Sequence, residues 1–205
     1  LSAVDYNTNV ELIDQEAQRG IKIIVIDSDV NSSQVSCRIG TNNLQAGIKA
    51  AEAALATDDE ELYIGIVNYD VNSANGQQRE LGFRQTVEQD PRVKNITTIN
   101  VLSTTEDARA GAKEMLLSDS RINVVVTFNE WTSLGVGWAI RDLNRADRIQ
   151  VVAFDSNVVS VGMLETGEVD ALIVQNPYAM GYLGVETAAN LMNGQTGGPS
   201  VVDTA

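Results

Sequence analysis

The chain has 205 residues, with 28 acidic and 14 basic side chains, no histidine and a formal net charge of -14 at pH 7. A surface this acidic repels phosphate backbones and anionic membranes, which argues against nucleic acid as a direct partner. The lack of histidine removes the commonest general base, zinc ligand and triad partner, and the single Cys37 rules out an internal disulfide.

The chain opens on Leu1-Ser2-Ala3 without methionine, so a processed, cut or engineered start is expected, and the lack of a leader carries no information about compartment. A helix is predicted over 7–19, closed by Gly20 where a left-handed cap favours glycine. The apolar run 21–26 predicts a strand, and Cys37 is expected as a small residue tucked near a strand end. Helix 44–56, strand 62–67 and helix 75–89 follow, the last closed by Pro91. Strand 96–102 leads through Ser103-Thr104-Thr105-Glu106, hydroxyls and then a carboxylate, into helix 106–117. Strand 123–127, helix 131–144, strand 150–154, helix 158–166, strand 171–174 and helix 178–192 complete the alternation. Gly194 and Gly197-Gly198-Pro199 end the last helix, and a weaker strand is expected over 200–202.

Short Val- and Ile-rich runs alternating with amphipathic segments predict an α/β fold with parallel sheets covered on both faces. In such sheets ligands bind beyond the carboxyl ends of the strands. Those ends carry Asp27-Ser28-Asp29, Asn68-Tyr69-Asp70, Ser103, Asn129-Glu130-Trp131, Asp155-Ser156-Asn157 and Gln175-Asn176. Helix capping accounts for part of this set, since Asp, Asn and Ser are favoured N-caps. It does not account for Gln175 or for Arg79 within the third helix. Carboxylates accept, amides donate and accept, and an arginine donates in a fork, a mixture suited to a polyhydroxylated ligand. Carboxylate pairs for glycoside hydrolysis and an oxygen-ligand metal site are the alternatives; neither has a motif behind it. No dinucleotide or phosphate-loop motif is present, and no cofactor is called for.

Five stretches then converge: GIKIIVIDSDV, IGTNNLQAG, GQQRELGFRQTV, NVVVTFNEWTSLGVGWAI through VVAFDS, and LETGEVDALIVQNPYAMGYLGVETAANLMNG. In this order the chain resembles the type I periplasmic sugar-binding proteins of ABC transporters, in the ribose/galactose-binding branch. The resemblance implies two Rossmann-like parallel-sheet lobes joined by three crossings, with the ligand between them. It places a partial N-terminal lobe at 1–41 plus 176–202, the C-terminal lobe at 42–175, and hinge crossings near 40–42, 175–176 and 203. Family members carry a strand, helix, strand and helix before this point, about 60 residues at the usual length of such units.

Residue by residue, Asp27 matches the N-lobe carboxylate, Arg79 the C-lobe arginine, Asn129 the family's Asn-Asp asparagine with Glu130 in place of the Asp, Asp155 the aspartate after the strand, and Gln175 the glutamine before Asn-Pro. Ser28 stands where the ribose binders have arginine. The C-lobe aromatic expected near Ala108 is absent; Trp131 either offers a ring face in its stead or serves packing alone, and both readings stand. The resemblance implies a non-enzymatic, extracytoplasmic, monomeric receptor, in the periplasm or lipid-anchored, that closes on a sugar and delivers it to a membrane permease. A sensor domain for a membrane kinase or chemoreceptor, and the effector domain of a LacI-type regulator, share the fold and stand as alternatives.

Overall fold

The computed structural model describes residues 1–195 and 201–204. The chain divides into two units, the first formed by Leu1–Asn42, Asn72–Asn75 and the chain from Gln175 onward, the second by Asn43–Val71 and Gly76–Val174.

In the first unit, α1 (Val10–Gln18) leads into β1 (Ile23–Ile26) and β2 (Val35–Gly40). α1 starts later than its apolar pattern predicts. The Asp5 carboxylate accepts the Asn7 and Thr8 amides at 2.8 Å each, which holds this stretch in a turn and keeps the Asp5 pKa low. Gly20 closes the helix at φ 91°, in the left-handed region expected there.

β2 is the strand that the sequence does not announce. Val35, Cys37 and Ile39 point inward while Ser36 and Arg38 alternate outward, a half-covered pattern with no continuous apolar run. The Arg38 guanidinium donates to Asp29 at 2.8 Å and to the Ser32 carbonyl at 2.6 Å, pinning the connection between β1 and β2. Cys37 lies mid-strand rather than near an end, and its burial pushes the thiol pKa up.

The last helix of the chain (Pro177–Met192) and the last strand (Val201–Asp203) also belong to this unit. Numbered in chain order they are α7 and β8. The parallel sheet runs β1-β2-β8. Ile13, Val25, Val30 and Val35 form one small core; Cys37, Ile39 and Met180 form another. The expected strand 200–202 is found at Val201–Asp203, with Ser200 and Gly197-Gly198-Pro199 outside the described residues.

The second unit contains α2 (Asn43–Leu55), β3 (Leu62–Asn68), α3 (Ala74–Val87, its first two residues excepted), β4 (Val93–Asn100), α4 (Thr105–Ser118), β5 (Val124–Thr127), α5 (Glu130–Leu143), β6 (Gln150–Phe154), α6 (Val158–Thr166) and β7 (Ala171–Ile173). β4 begins and ends earlier than predicted, because Leu102, the apolar end of the predicted run, lies exposed in the following loop.

The five strands are parallel in the order β4-β3-β5-β6-β7. All four residues of β5 are buried because helices cover both faces. Val124, Val126 and Val152 pack with Ala50, Ala54 and Phe83 from α2 and α3; Val125, Val151 and Ala153 pack with Ala112, Leu116 and Ile140 from α4 and α5. Each fully buried Val or Phe side chain contributes roughly 1.5–3 kcal/mol.

Candidate functional site

The strand order of the second unit fixes where a ligand crevice belongs. Chain entry is at β3, which has β4 on one side and β5 on the other, so crossovers leave it in opposite directions. At such a switch point the connections diverge and leave a crevice at the carboxyl ends of the central strands. There β3 delivers Asn68-Tyr69-Asp70, β5 delivers Asn129-Glu130-Trp131 and β6 delivers Asp155-Ser156-Asn157.

Arg79 approaches from α3. It is only 2% exposed, with its guanidinium 4.8 Å from the centre of the Phe154 ring. Its Nε donates to Asn43 Oδ1 at 2.8 Å and its Nη1 to the Phe128 carbonyl at 2.6 Å. Phe83, Phe128 and Phe154 stack edge-to-face beneath it. The backbone placement is equally constrained: a Cβ on Gly47 would overlap the Arg79 carbonyl, and one on Gly82 would overlap the Leu44 carbonyl. Two glycines thus let α2 and α3 cross close enough to hold the arginine over the sheet.

Asn129 caps α5. Its Oδ1 accepts the Thr132 amide at 2.9 Å, the Thr132 hydroxyl closes the capping box, and its Nδ2 donates to Ser103 Oγ at 2.7 Å. Trp131, in the first turn of α5, is 49% exposed. Asn157 caps α6 by accepting the Val159 and Ser160 amides, and its Nδ2 donates to Glu130 Oε1 at 2.7 Å. Asp155 is the N-cap residue of neither α5 nor α6, but its carboxylate reaches the first backbone amide of α5. It sits at φ 68°, in the left-handed region, and its Oδ2 accepts the Glu130 amide at 3.0 Å.

The first unit repeats this device. Asp27 follows β1 at φ 61°. Its amide donates to the Ile39 carbonyl at 2.9 Å. Its carboxylate accepts from Asn75 Nδ2 at 3.4 Å and from Ser28 Oγ at 3.4 Å, and Asn75 also donates to Ser28 at 3.2 Å. Gln175 accepts from the Thr41 hydroxyl at 2.9 Å, while Asp203 accepts the Asn42 amide at 3.1 Å.

Of the residues predicted from sequence, Arg79, Asn129, Trp131 and Asp155 lie in the second unit, and Asp27, Ser28 and Gln175 in the first. Sequence reasoning missed Asn43, Asn75 and Thr41 as the partners of Arg79, of Asp27 and Ser28, and of Gln175. The only local signal for these was their position beside a strand end or helix start. Among the described residues no group of three or more Cys, Asp or Glu is arranged to hold a metal ion, and no helix is long and apolar enough to cross a membrane.

Known proteins share this fold. The chain is 24% identical over 205 aligned residues to the D-ribose/D-allose-binding protein of Pseudomonas aeruginosa, covering 96% of this chain and 63% of that one. It therefore spans a little under two thirds of that relative's length. A carbohydrate transporter solute-binding protein from Agrobacterium radiobacter, solved with D-arabinose, superposes with a TM-score of 0.95 at 28% identity, covering all of this chain and 70% of the other. The periplasmic component of an ABC-type sugar transport system from Hahella chejuensis superposes with a TM-score of 0.96 at 29% identity, again over 100% of this chain and 75% of that one. The model of the periplasmic binding protein domain matches residues 1–196, and the chain belongs to that family.

Proposed function

We propose that this chain is the sugar-capturing part of an extracytoplasmic binding protein that hands a small polyhydroxylated ligand to an ABC transporter, without catalysing a reaction. One observation carries the reading: Asp27 and Asp155 each follow a parallel strand, and each hold a left-handed backbone that presents a carboxylate beyond the strand end. Strained non-glycine residues of this kind cluster at ligand sites. A carboxylate presented beyond a strand end accepts from sugar hydroxyls, and such charge-assisted bonds are the strong ones, worth about 1.5–3 kcal/mol net.

Around these two, Arg79 supplies donors, Asn129 and Gln175 supply amides, Ser28 a hydroxyl and Trp131 an apolar ring face for the sugar's C–H surface. The lobes are proposed as 1–41 with 176–202 and 42–175, with hinge crossings near 40–42, 175–176 and 203. A ligand held by groups of both lobes favours the closed state by its differential affinity for it, and the protein acts as a monomer that presents this state to a membrane permease. The proteins matched above, described as binding D-ribose, D-allose or D-arabinose, support a pentose or hexose as the ligand class.

A thermal-shift screen against D-ribose, D-allose, D-arabinose, D-fucose and D-tagatose tests this. At least one sugar raises the melting temperature in a concentration-dependent way, and Asp155→Ala and Asp27→Ala each abolish the rise while remaining folded. A protein that no monosaccharide stabilises, or variants that keep the full rise, would remove the proposal.

A further inference from the structure

A buried hydroxyl network lies directly behind Asn129 and Asp155. Ser133, on the first turn of α5, is 1% exposed, and its Oγ lies 2.7 Å from the Thr127 hydroxyl, 2.7 Å from the Asn129 carbonyl, 2.9 Å from the Phe154 carbonyl and 3.0 Å from the Phe154 amide nitrogen. The Phe154 groups explain why a hydroxyl is there. Alternate residues of a parallel strand bond to opposite neighbours. Asp155 donates its amide to the β7 carbonyl of Ile173, so Phe154 directs its N–H and C=O toward β5. The ladder between β5 and β6 pairs residues only as far as Val126 with Val152. Beyond it the two strands part, and Phe154, fully buried, faces the gap.

A serine hydroxyl fits that gap by valence. It accepts the Phe154 N–H and the Thr127 O–H, and its one proton goes to the carbonyl of Asn129 or of Phe154. One side chain therefore ties the residue before Asp155 to the backbone of Asn129.

We infer that Ser133 is a positioning residue: its hydroxyl replaces the ladder rung that β5 no longer offers to Phe154, and so fixes the spacing and backbone angles of Asn129 and Asp155. The inference rests on the sugar-binding reading for its consequence in affinity, but its geometric content stands apart from any ligand. Alanine leaves the Phe154 amide without its partner in a buried site. The strand end is then free to drift, and the left-handed conformation of Asp155 loses one of its constraints. Threonine adds a methyl where Thr127, Phe128 and Phe154 leave no exposed surface.

The test uses the full chain and two independent readouts. Without ligand, amide hydrogen exchange at Phe154 and the three-bond HN–Hα coupling of Asp155 are compared in wild type, Ser133→Ala and Thr127→Val. Ser133→Ala speeds Phe154 exchange at least tenfold and shifts the Asp155 coupling; Thr127→Val, which leaves the Ser133 hydroxyl in place, does neither. With the sugar that gives the largest thermal shift in the screen above, titrated well below the melting temperature of every variant, Ser133→Ala weakens affinity about tenfold and Thr127→Val less than twofold. An unchanged Asp155 coupling and an unchanged Phe154 exchange rate in Ser133→Ala overturn the inference even if the melting temperature falls. If no sugar binds the wild type, the sugar reading fails while the exchange and coupling still decide this one. Altered backbone with unaltered sugar affinity overturns the positioning role.

Discussion

The two units of the chain are built from the same strand–helix alternation, yet they are knit to different depths. In the second, β5 and β6 are buried along almost their whole length, with Val, Ala and Phe side chains packed against helices on both faces of the sheet. In the first, β1 has one fully buried residue and β8 none, and α7 leaves Tyr178, Tyr182, Val185 and Met192 exposed. A sheet covered on both faces carries its own stability; one with sparse cover holds its geometry through polar ties such as Arg38 to Asp29 and Thr41 to Gln175. The same device, a left-handed aspartate at a strand end, is thus mounted on two supports of different packing density.

Truncating a core residue in each unit gives the largest expected contrast. Phe128→Ala removes the ring that stacks on both Phe83 and Phe154 and should cost about 3–5 kcal/mol in denaturant unfolding. Met180→Ala in the first unit should cost about 2 kcal/mol, the low end for such a truncation, because its neighbours Ile24, Ile26, Leu183 and Val202 are only partly buried. Equal losses would show that the sparse unit is as tightly packed as the dense one.

Gly47→Ala probes the second unit where it is tightest. The added methyl meets the Arg79 backbone rather than a flexible side-chain end, so α2 and α3 must separate. Overpacking of this kind should cost about 1–3 kcal/mol, measured by urea unfolding. Gly181→Ala, on α7 where nothing lies within 4 Å of the added atom, should change stability by less than about 1 kcal/mol and in the stabilising direction, since glycine is the poorer helix former. A silent Gly47→Ala would mean that the helices can part freely and that Arg79 is not held by their crossing.

Much of this was legible beforehand, and the exceptions share a cause. β5 and β6 stand out as VVVT and QVVAF because burial on both faces demands an unbroken apolar run. β2 hides because its cover is one-sided and Ser36 and Arg38 interrupt the pattern. The start of α1 was misplaced by a local competitor, the Asp5 turn, which propensity alone does not reveal. At the site, the polar residues after each strand were visible and family resemblance assigned them roles, but their supports were not. Thr41 is 134 positions from Gln175 and Asn43 is 36 from Arg79, so no spacing rule connects them. The structure also separates the roles: Asn129, Asn157 and Asn176 are the N-caps of their own helices, Asp155 reaches the first amide of α5 from a neighbouring strand end, and Asp27 bonds Asn75 and Ser28.

The paired aspartates allow a finer comparison of the supports. A non-glycine residue in the left-handed region carries about 1–2 kcal/mol of steric cost, less for Asp than for Ala. At both Asp27 and Asp155, replacement by Ala should therefore be less stable than replacement by Gly by about 1 kcal/mol, in the direction opposite to helix or strand sites. Asp155→Gly loses the 3.0 Å bond from the Glu130 amide, about 0.5–1.5 kcal/mol, whereas Asp27→Gly loses the longer 3.4 Å bonds from Asn75 and Ser28, so Asp155→Gly should fall below Asp27→Gly. An Ala variant as stable as its Gly counterpart at either site would show that the backbone there relaxes out of the left-handed region once the carboxylate is gone.

The smallest expected effect is in acid, and it too separates the units. In the second unit Asp142 on α5 accepts from Arg109 at 2.8 and 2.6 Å and from Lys113 at 3.1 Å, both on α4, and these bonds hold its pKa at about 2. Arg121 holds Asp119 at about 2 in the same way, and Arg141 lowers Glu168. A carboxyl whose folded pKa lies below its unfolded value stabilises fully above the unfolded value, near 3.8, and that contribution disappears as the pH falls through the folded value. The window is therefore pH 4 down to 2. In the first unit the lowered carboxyl of Asp5 is held by backbone amides of its own turn and links no two elements. Asp142→Asn should flatten the fall of the urea midpoint between pH 4 and 2, and added salt should flatten the wild-type curve partway toward it, because these groups face solvent. Asp5→Asn should leave the unfolding of the second unit unchanged across the same window. If Asp142→Asn tracks the wild type, the bridge between α4 and α5 adds nothing to the cohesion of the denser unit, and that cohesion rests on its apolar packing.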